Sequence, residues 1–185
     1  MKHAEIRLAG EGGQGLILAG IILAEAAAVH DGLNAVQTQS YGPESRGGAS
    51  KAEVIVSEGE IDYPKVNHPD VMLLMSQLAY DKYAKDLKEN GVLIVDSSHV
   101  TPDPARGVRT LGLPISAIAR EVTGRDIAAN IVAIGALVRA TGIVSDAAIE
   151  NAVSRRVPAG TTEVNLKALK AGMEVVARSL SGDSN

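Results

Sequence analysis

The chain has 185 residues, 45% of them hydrophobic, a net charge of −4, and no cysteine, tryptophan or phenylalanine. That length suits one domain with a core of Ala, Val, Ile, Leu and Met. The composition excludes disulfides, cysteine nucleophiles and iron–sulfur clusters ligated by this chain, and the acidic, aromatic-poor balance argues against nucleic acid or an anionic membrane surface as partner.

Residues 6–9, Ile-Arg-Leu-Ala, read as a strand. Residues 16–29 read as a helix that is apolar nearly all round, so one face meets a sheet and the other is free for a partner subunit. With Glu25 inside it, and at that length, this helix is too short and too charged to span a bilayer. Between strand and helix lies Gly10-Glu11-Gly12-Gly13-Gln14-Gly15, in which Gly10, Gly12 and Gly15 fit G-x-G-x-x-G in its strand–turn–helix context. Glycine lets backbone or ligand approach closely. The helix start offers free N–H groups and a positive dipole end to a phosphate.

Asp31-Gly32 ends this helix, and residues 35–39 form a second strand. A polar loop follows, Ser40-Tyr41-Gly42-Pro43-Glu44-Ser45-Arg46-Gly47-Gly48. Residues 51–57 form a third strand, antiparallel to the second because no helix separates them. Residues 70–75 are a continuous apolar run, as in a buried parallel strand. Ser76 caps a helix over 77–90, which Gly91 ends. Residues 92–95 form the next buried strand, leading into Asp96-Ser97-Ser98 at the edge where α/β folds collect ligands.

Residues 108–111 form a last short strand. Helices over 115–122, 125–141, 146–155 and 162–180 complete the chain, with Ser145 and Thr162 as caps and Gly142 as a stop. Residues 181–185 are expected to be a disordered tail. The pattern predicts a single domain over residues 1–180. It is α/β, a three-layer α/β/α sandwich with a mostly parallel sheet, one antiparallel pair and a Rossmann-like first βα unit.

An NAD site needs an acid at the end of the second strand, for the ribose hydroxyls. That strand ends Gln37-Thr38-Gln39-Ser40, and the nearest acid is Glu44. An NADP site would want a base, and Arg46 is the candidate. Two readings stay open: the glycines make a tight turn only, or they cradle an anion other than a nicotinamide nucleotide. The loop from Ser40 to Gly48 should lie beside the glycine turn and form one crevice edge with it. Arg46 has the fork to hold a phosphate or carboxylate.

Catalytic machinery does not gather around these loops. The histidines, at 3, 30, 68 and 99, are scattered singly and lack metal-ligand spacing. His99 is a candidate base beside Asp96-Ser97-Ser98, against the alternative of a solvated loop histidine. Asp96, Ser97 and Ser98 are read as caps of backbone N–H groups. Arg155-Arg156 is read as a pair that complements a helix C-terminus. Tyr80 and Tyr83 are expected to pack with wet hydroxyls.

Gly10–Gly15 followed by an Ala-rich helix, with the stretch 39–48, resembles the gamma subunit of 2-oxoacid:ferredoxin oxidoreductases. Ile61-Asp62-Tyr63-Pro64, Pro69-Asp70-Val71, the stretch 77–83 and Asn130-Ile-Val-Ala-Ile-Gly-Ala136 match as well, so the resemblance covers about residues 4–175. The second loop is the specific signal. Tyr41, Gly48 and Ala49 resemble the 2-oxoglutarate type rather than the pyruvate type.

The resemblance implies a cytoplasmic complex that oxidatively decarboxylates a 2-oxoacid, transfers the acyl group to coenzyme A and reduces ferredoxin. It implies alpha, beta and ferredoxin-like subunits as partners. Thiamine diphosphate and the iron–sulfur clusters belong to those other subunits. This chain, binding no cofactor alone, would share a coenzyme A site formed by Gly10, Gly12, Gly13, Gln14, Gly15, Ser40, Tyr41, Gly42, Glu44, Arg46, Gly47 and Gly48. A self-contained NAD(P)-binding enzyme and a purely architectural subunit remain alternatives. The isolated chain is expected to dimerise through the apolar 16–29 or 125–141 helix.

Overall fold

A computed structural model describes residues 3–40, 49–104 and 107–182. Six strands form one mixed sheet in the order β2-β3-β1-β4-β5-β6. They are β1 (His3–Glu11), β2 (Asn34–Ser40), β3 (Ala49–Ser57), β4 (Val71–Leu74), β5 (Val92–Asp96) and β6 (Arg109–Leu113). The ladders β1–β4, β4–β5 and β5–β6 are parallel. Strand β3 is antiparallel to both neighbours, so the 49–57 strand does run against its predecessor.

The chain leaves β1 through the glycine turn and returns in β2 by way of α1 (Leu16–Glu25), the Rossmann-like unit expected. One departure has consequences. Strand β3 inserts between β1 and β2, so the end of β2 is one strand removed from the glycine turn. A dinucleotide unit sets those two ends side by side.

Strand alternation divides the core. Ile6, Leu8, Val71 and Leu73 face α1 and the C-terminal helices, whereas Ala9, Met72 and Leu74 face α2 (Gln77–Tyr83). The first layer is thick: α3 (Ile115–Thr123), α4 (Ala129–Thr141), α5 (Asp146–Arg156) and α6 (Thr162–Ser181) all contribute to it. The second is thin and partly ionic. Arg7, 4% exposed, donates to Glu53 (2.8 Å), Asp86 (2.5 Å) and the carbonyl of Val66 (2.9 Å), and its guanidinium lies 5.4 Å from the Tyr83 ring centre.

That network shortens a predicted helix. The 77–90 helix stops at Tyr83, continues as one tight turn over Ala84–Asp86, and gives way to extended Leu87. Asp86 is drawn to Arg7, Leu87 is buried, and the Lys88 N–H reaches the carbonyl of Pro69. Tertiary contacts outweigh helix propensity there. Gly91 is therefore not a helix stop; it sits in a turn where a Cβ would meet the Leu87 side chain at 2.6 Å.

Elsewhere the local signals operate as read. Ser76 accepts from the Ala79 N–H and Ser145 from the Ala148 N–H, both as N-caps. Gly142 closes α4 with φ 62°. The expected cap of α6 is the exception: Thr162 is the first residue of the helix, and the Ncap is Thr161, whose hydroxyl donates to the carbonyl of Pro158 instead of capping. The helix runs through Ser181 and ends at Gly182, φ 79°. Helix α1 continues as a π-turn over Ala26–His30, in which the Asp31 N–H reaches the carbonyl of Ala26.

Helix α4 offers no outer face for a partner: every residue from Ala129 to Val138 is buried. Gly135 and Gly172 cause this. A Cβ on Gly135 would strike the carbonyl of Leu169, and one on Gly172 the carbonyl of Val132, so α4 and α6 cross backbone to backbone. The expected self-association through the 125–141 helix therefore has no free surface between Ala129 and Val138; exposure returns only at its ends, at Ile127 and Arg139. Among the described residues no helix is long and apolar enough to cross a membrane.

Candidate functional site

The glycine turn is built from within. The Glu11 N–H donates to Gln14 Oε1 (2.8 Å), and Gln14 Nε2 donates to the carbonyl of Met75 at the end of β4 (3.2 Å). A Cβ on Gly10 would collide with that same Gln14 amide. Gly10 and Gln14 thus hold the turn's shape, with the Gln14 amide occupied by backbone.

Gly15 is the Ncap of α1, in the left-handed region at φ 73°. A Cβ there would lie 2.7 Å from Asn130 Nδ2, the group that donates to the carbonyl of Gly15 (3.1 Å). Asn130, 5% exposed in the first turn of α4, fastens α4 to the start of α1. Gly12 and Gly13 differ from both. Among the described residues a Cβ on either would meet nothing within 4 Å, and Gly13 has φ 95°. The outer half of the turn is clear of the other described residues, so the twelve-residue candidate set divides by role as well as by position.

Ser40 is exposed at the end of β2. Tyr41, Gly42, Glu44, Arg46, Gly47 and Gly48 lie outside the described residues. Their anchors are placed: Ser40 pairs with Lys51, and Ala49 pairs with Glu11 at the mouth of the glycine turn. The second loop therefore departs from and returns to the sheet edge that carries the first.

Beside the turn is a cavity of about 850 Å3. Its wall takes Gly13, Gln14, Gly15 and Leu18 from α1 and its entry, Ser116 from α3, Asp126 to Ile131 from the start of α4, and Thr161, Val164 and Asn165 from the start of α6. Helices α1 and α6 begin here without a side-chain cap, and α4 begins here as the continuation of a tight turn over Asp126–Ala128, its Ala129 N–H already donating to the carbonyl of Asp126. Three helix N-termini thus border one space, and their positive dipole ends favour an anion there. Arg125 and His99 stand on the wall, while Leu18, Ile131, Val157 and Val164 supply apolar surface. A mixed lining of this size suits an extended ligand with charged and apolar parts.

Helix α3, the fourth at this wall, is satisfied by the protein itself. Fully buried Asp96 accepts from the Ser116 hydroxyl (2.5 Å), the Ser116 N–H (3.2 Å) and the Ser98 N–H (3.0 Å). Asp96 is thus a cap, as read, with Ser116 in place of Ser97. His99 is an exposed member of the following turn, its backbone N–H bonded to the carbonyl of Asp96. Two other expectations change. The Tyr80 hydroxyl is not merely wet; it accepts from the Asp103 N–H (2.8 Å). Arg155 and Arg156 do more than face a helix dipole, because both pair with the buried carboxylate of Glu25 on α1. Glu163, in the first turn of α6, is held below the ordinary carboxylate range by its hydrogen bond to Lys167 and that residue's charge.

Among the described residues no cluster of His, Asp and Glu could hold a metal. Sequence reasoning found the turn but missed the cavity and its Arg125, Asn130, Thr161 and Asn165. No local signal marked them: Thr161 and Thr162 look like caps in the sequence, and only the fold shows that no cap is made and brings those helix starts together.

Comparison with known proteins agrees with this geometry. The family model for pyruvate ferredoxin/flavodoxin oxidoreductase matches residues 5–175. A 2-oxoglutarate synthase subunit KorC of Methanocaldococcus jannaschii is 54% identical, with 92% of each chain covered. The KorC subunit of Methanothermobacter thermautotrophicus is also 54% identical, over 93% of this chain and 94% of its own. The gamma subunit of a keto/oxoacid ferredoxin oxidoreductase from Geobacter sulfurreducens superposes with TM-score 0.88 at 51% identity, covering 96% of this chain and 98% of that one. The 2-oxoglutarate:ferredoxin oxidoreductase of Magnetococcus marinus, solved with 2-oxoglutarate, coenzyme A and succinyl-CoA bound, superposes with TM-score 0.86 at 26% identity. The match covers 96% of this chain and 31% of that longer one. The chain therefore belongs to the pyruvate ferredoxin/flavodoxin oxidoreductase family, as a gamma subunit of the 2-oxoacid:ferredoxin oxidoreductases.

Proposed function

We propose that this gamma subunit serves a cytoplasmic complex acting on 2-oxoglutarate, and that it contributes the phosphate-binding part of the coenzyme A site. The carrying observation is the uncapped start of α1, bordered by Gly12 and Gly13, clear of the other described residues, and by an 850 Å3 cavity onto which α4 and α6 also begin. A pyrophosphate accepts hydrogen bonds from such N–H groups without any side-chain base. The relatives' names and the bound ligands of the Magnetococcus enzyme support the substrate and the cosubstrate.

In this reading the chain orients coenzyme A and carries no redox group. Thiamine diphosphate and the iron–sulfur clusters reside in the alpha, beta and ferredoxin-like subunits, and electrons leave to ferredoxin. Arg46 neutralises phosphate charge or holds the Ser40–Gly48 loop against it. Residues 1–180 form the single gamma-type domain. The absence of an acid at the end of β2, and the β3 insertion that removes that end from the turn, disfavour a nicotinamide nucleotide.

In the assembled complex, Arg46→Ala should raise the KM for coenzyme A about tenfold, the loss of one charge-assisted contact. The thiol-independent decarboxylation of the 2-oxoacid should keep its rate. A complex that assembles normally and shows an unchanged KM for coenzyme A would remove Arg46 from the site.

A further inference from the structure

We propose that this chain self-associates across a two-fold axis through strand β2 and helix α1, joining two six-stranded sheets into one of twelve strands. Strand β2 is an outer strand of the sheet, with β3 on its inner side. Its seven residues, Asn-Ala-Val-Gln-Thr-Gln-Ser, carry no charge and no proline, and they pair with β3 in unbroken register. Soluble proteins protect exposed edges with charges, prolines or bulges, and β2 has none of these. The opposite edge, β6, is defended: it opens on Arg109 and contains Gly112.

The helix above β2 has a matching unfinished side. Ile17, Ile21, Ala24 and Ala28 recur at the spacing of one helix face; the first three are half-buried and Ala28 is exposed. This stripe lies about a quarter turn from Gly20, whose missing Cβ leaves room for Ala52, Val54 and Gln37. The opposite flank, with Ala19, Ile22 and Ala26, is fully buried. The apolar stripe therefore looks outward over the β2 edge.

Geometry selects a second copy as the occupant. Gly20 sits over β3 on the side of β2, with Ala52 and Val54 of β3 nearest and Gln37 of β2 next, placing α1 about 5–7 Å from a two-fold axis just outside β2, given a strand spacing of about 4.8 Å. Pairing β2 antiparallel with its copy then sets the two α1 helices about 10–14 Å apart, with the Ile17 and Ile21 side chains of each on the facing sides. An axis perpendicular to the sheet keeps both helices on one face, so stripe meets stripe. With Gln37 on the axis, Val36 faces Thr38 and Ala35 faces Gln39, and no like charges are opposed.

Sedimentation of the full chain should show a dimer. Ile21→Lys and Thr38→Lys should each raise the dimer dissociation constant about tenfold or more by placing like charges across the axis. Thr110→Lys on β6 should leave it unchanged. Because the chain has no cysteine, Gln37→Cys gives an independent readout that keeps the wild-type core: mild oxidation should yield a species of about twice 19.1 kDa. A wild-type chain that stays monomeric at about 100 μM, a dimer indifferent to both lysines, or no oxidised product at Gln37→Cys would each overturn the proposal. So would release of a different subunit from the complex by these lysines while the free chain is monomeric.

Discussion

Asp96 and Glu25 are both buried carboxylates, and their partners give them opposite consequences. Asp96 serves three hydrogen-bond donors, two of them on Ser116 at the start of α3. Asp96→Ala leaves those donors without their acceptor in a fully buried site, and should cost about 3 kcal/mol in chemical denaturation. Glu25 is held by Arg155 and Arg156, whose side chains are 67% and 49% exposed. Glu25→Met should change stability by less than about 1 kcal/mol, because the arginines return to water and an apolar side chain fills the space. Replacing both arginines by alanine strands a buried carboxylate and should cost about 3 kcal/mol, measured the same way. Ser76 and Ser145 were legible as caps because their logic is local. Glu25 with Arg156 was not: the partners are 131 residues apart, and sequence spacing carries no sign of it.

At the scale of elements, the crossing of α4 and α6 fixes the cavity. Gly135 and Gly172 let the two helices touch along their backbones, and both helices begin on the cavity wall. Gly172→Ala would drive a methyl group into the carbonyl of Val132, so the helices must separate. About 3 kcal/mol should be lost, a fall in Tm of roughly 6–12 °C for a chain of this size. A Tm within a degree of wild type would mean that the close crossing is absent. The strands and the long helices were legible from apolar runs and periodicity, because those record burial directly. The 77–90 helix was misjudged because its last turns obey Arg7 and Pro69, residues distant in sequence. The strand order was hidden for a related reason. Hairpin length suggests that β2 and β3 pair, but nothing local says that β3 also pairs with β1.

The whole molecule is a scaffold that brings several helix starts to one wall. Its chain has no cysteine, and the part proposed for it in the complex is recognition by backbone amides and shape. Of the candidate residues, Gly10, Gln14 and Gly15 maintain the cradle, and Gly12 and Gly13 are its open lip. That division was not visible in the motif, where all the glycines look alike. It shows which substitution probes the ligand without breaking the fold. Gly12→Glu adds a side chain that meets none of the other described residues and sets a negative charge where a phosphate is expected.

Calorimetric titration of the assembled complex with coenzyme A, comparing the native gamma chain with Gly12→Glu, is the most direct measurement. The account predicts a dissociation constant raised about tenfold or more by charge repulsion at the cradle, with the melting temperature of the gamma chain unaltered. Equal affinity in the two complexes would contradict it, and would leave the glycine turn as a structural corner that touches no ligand.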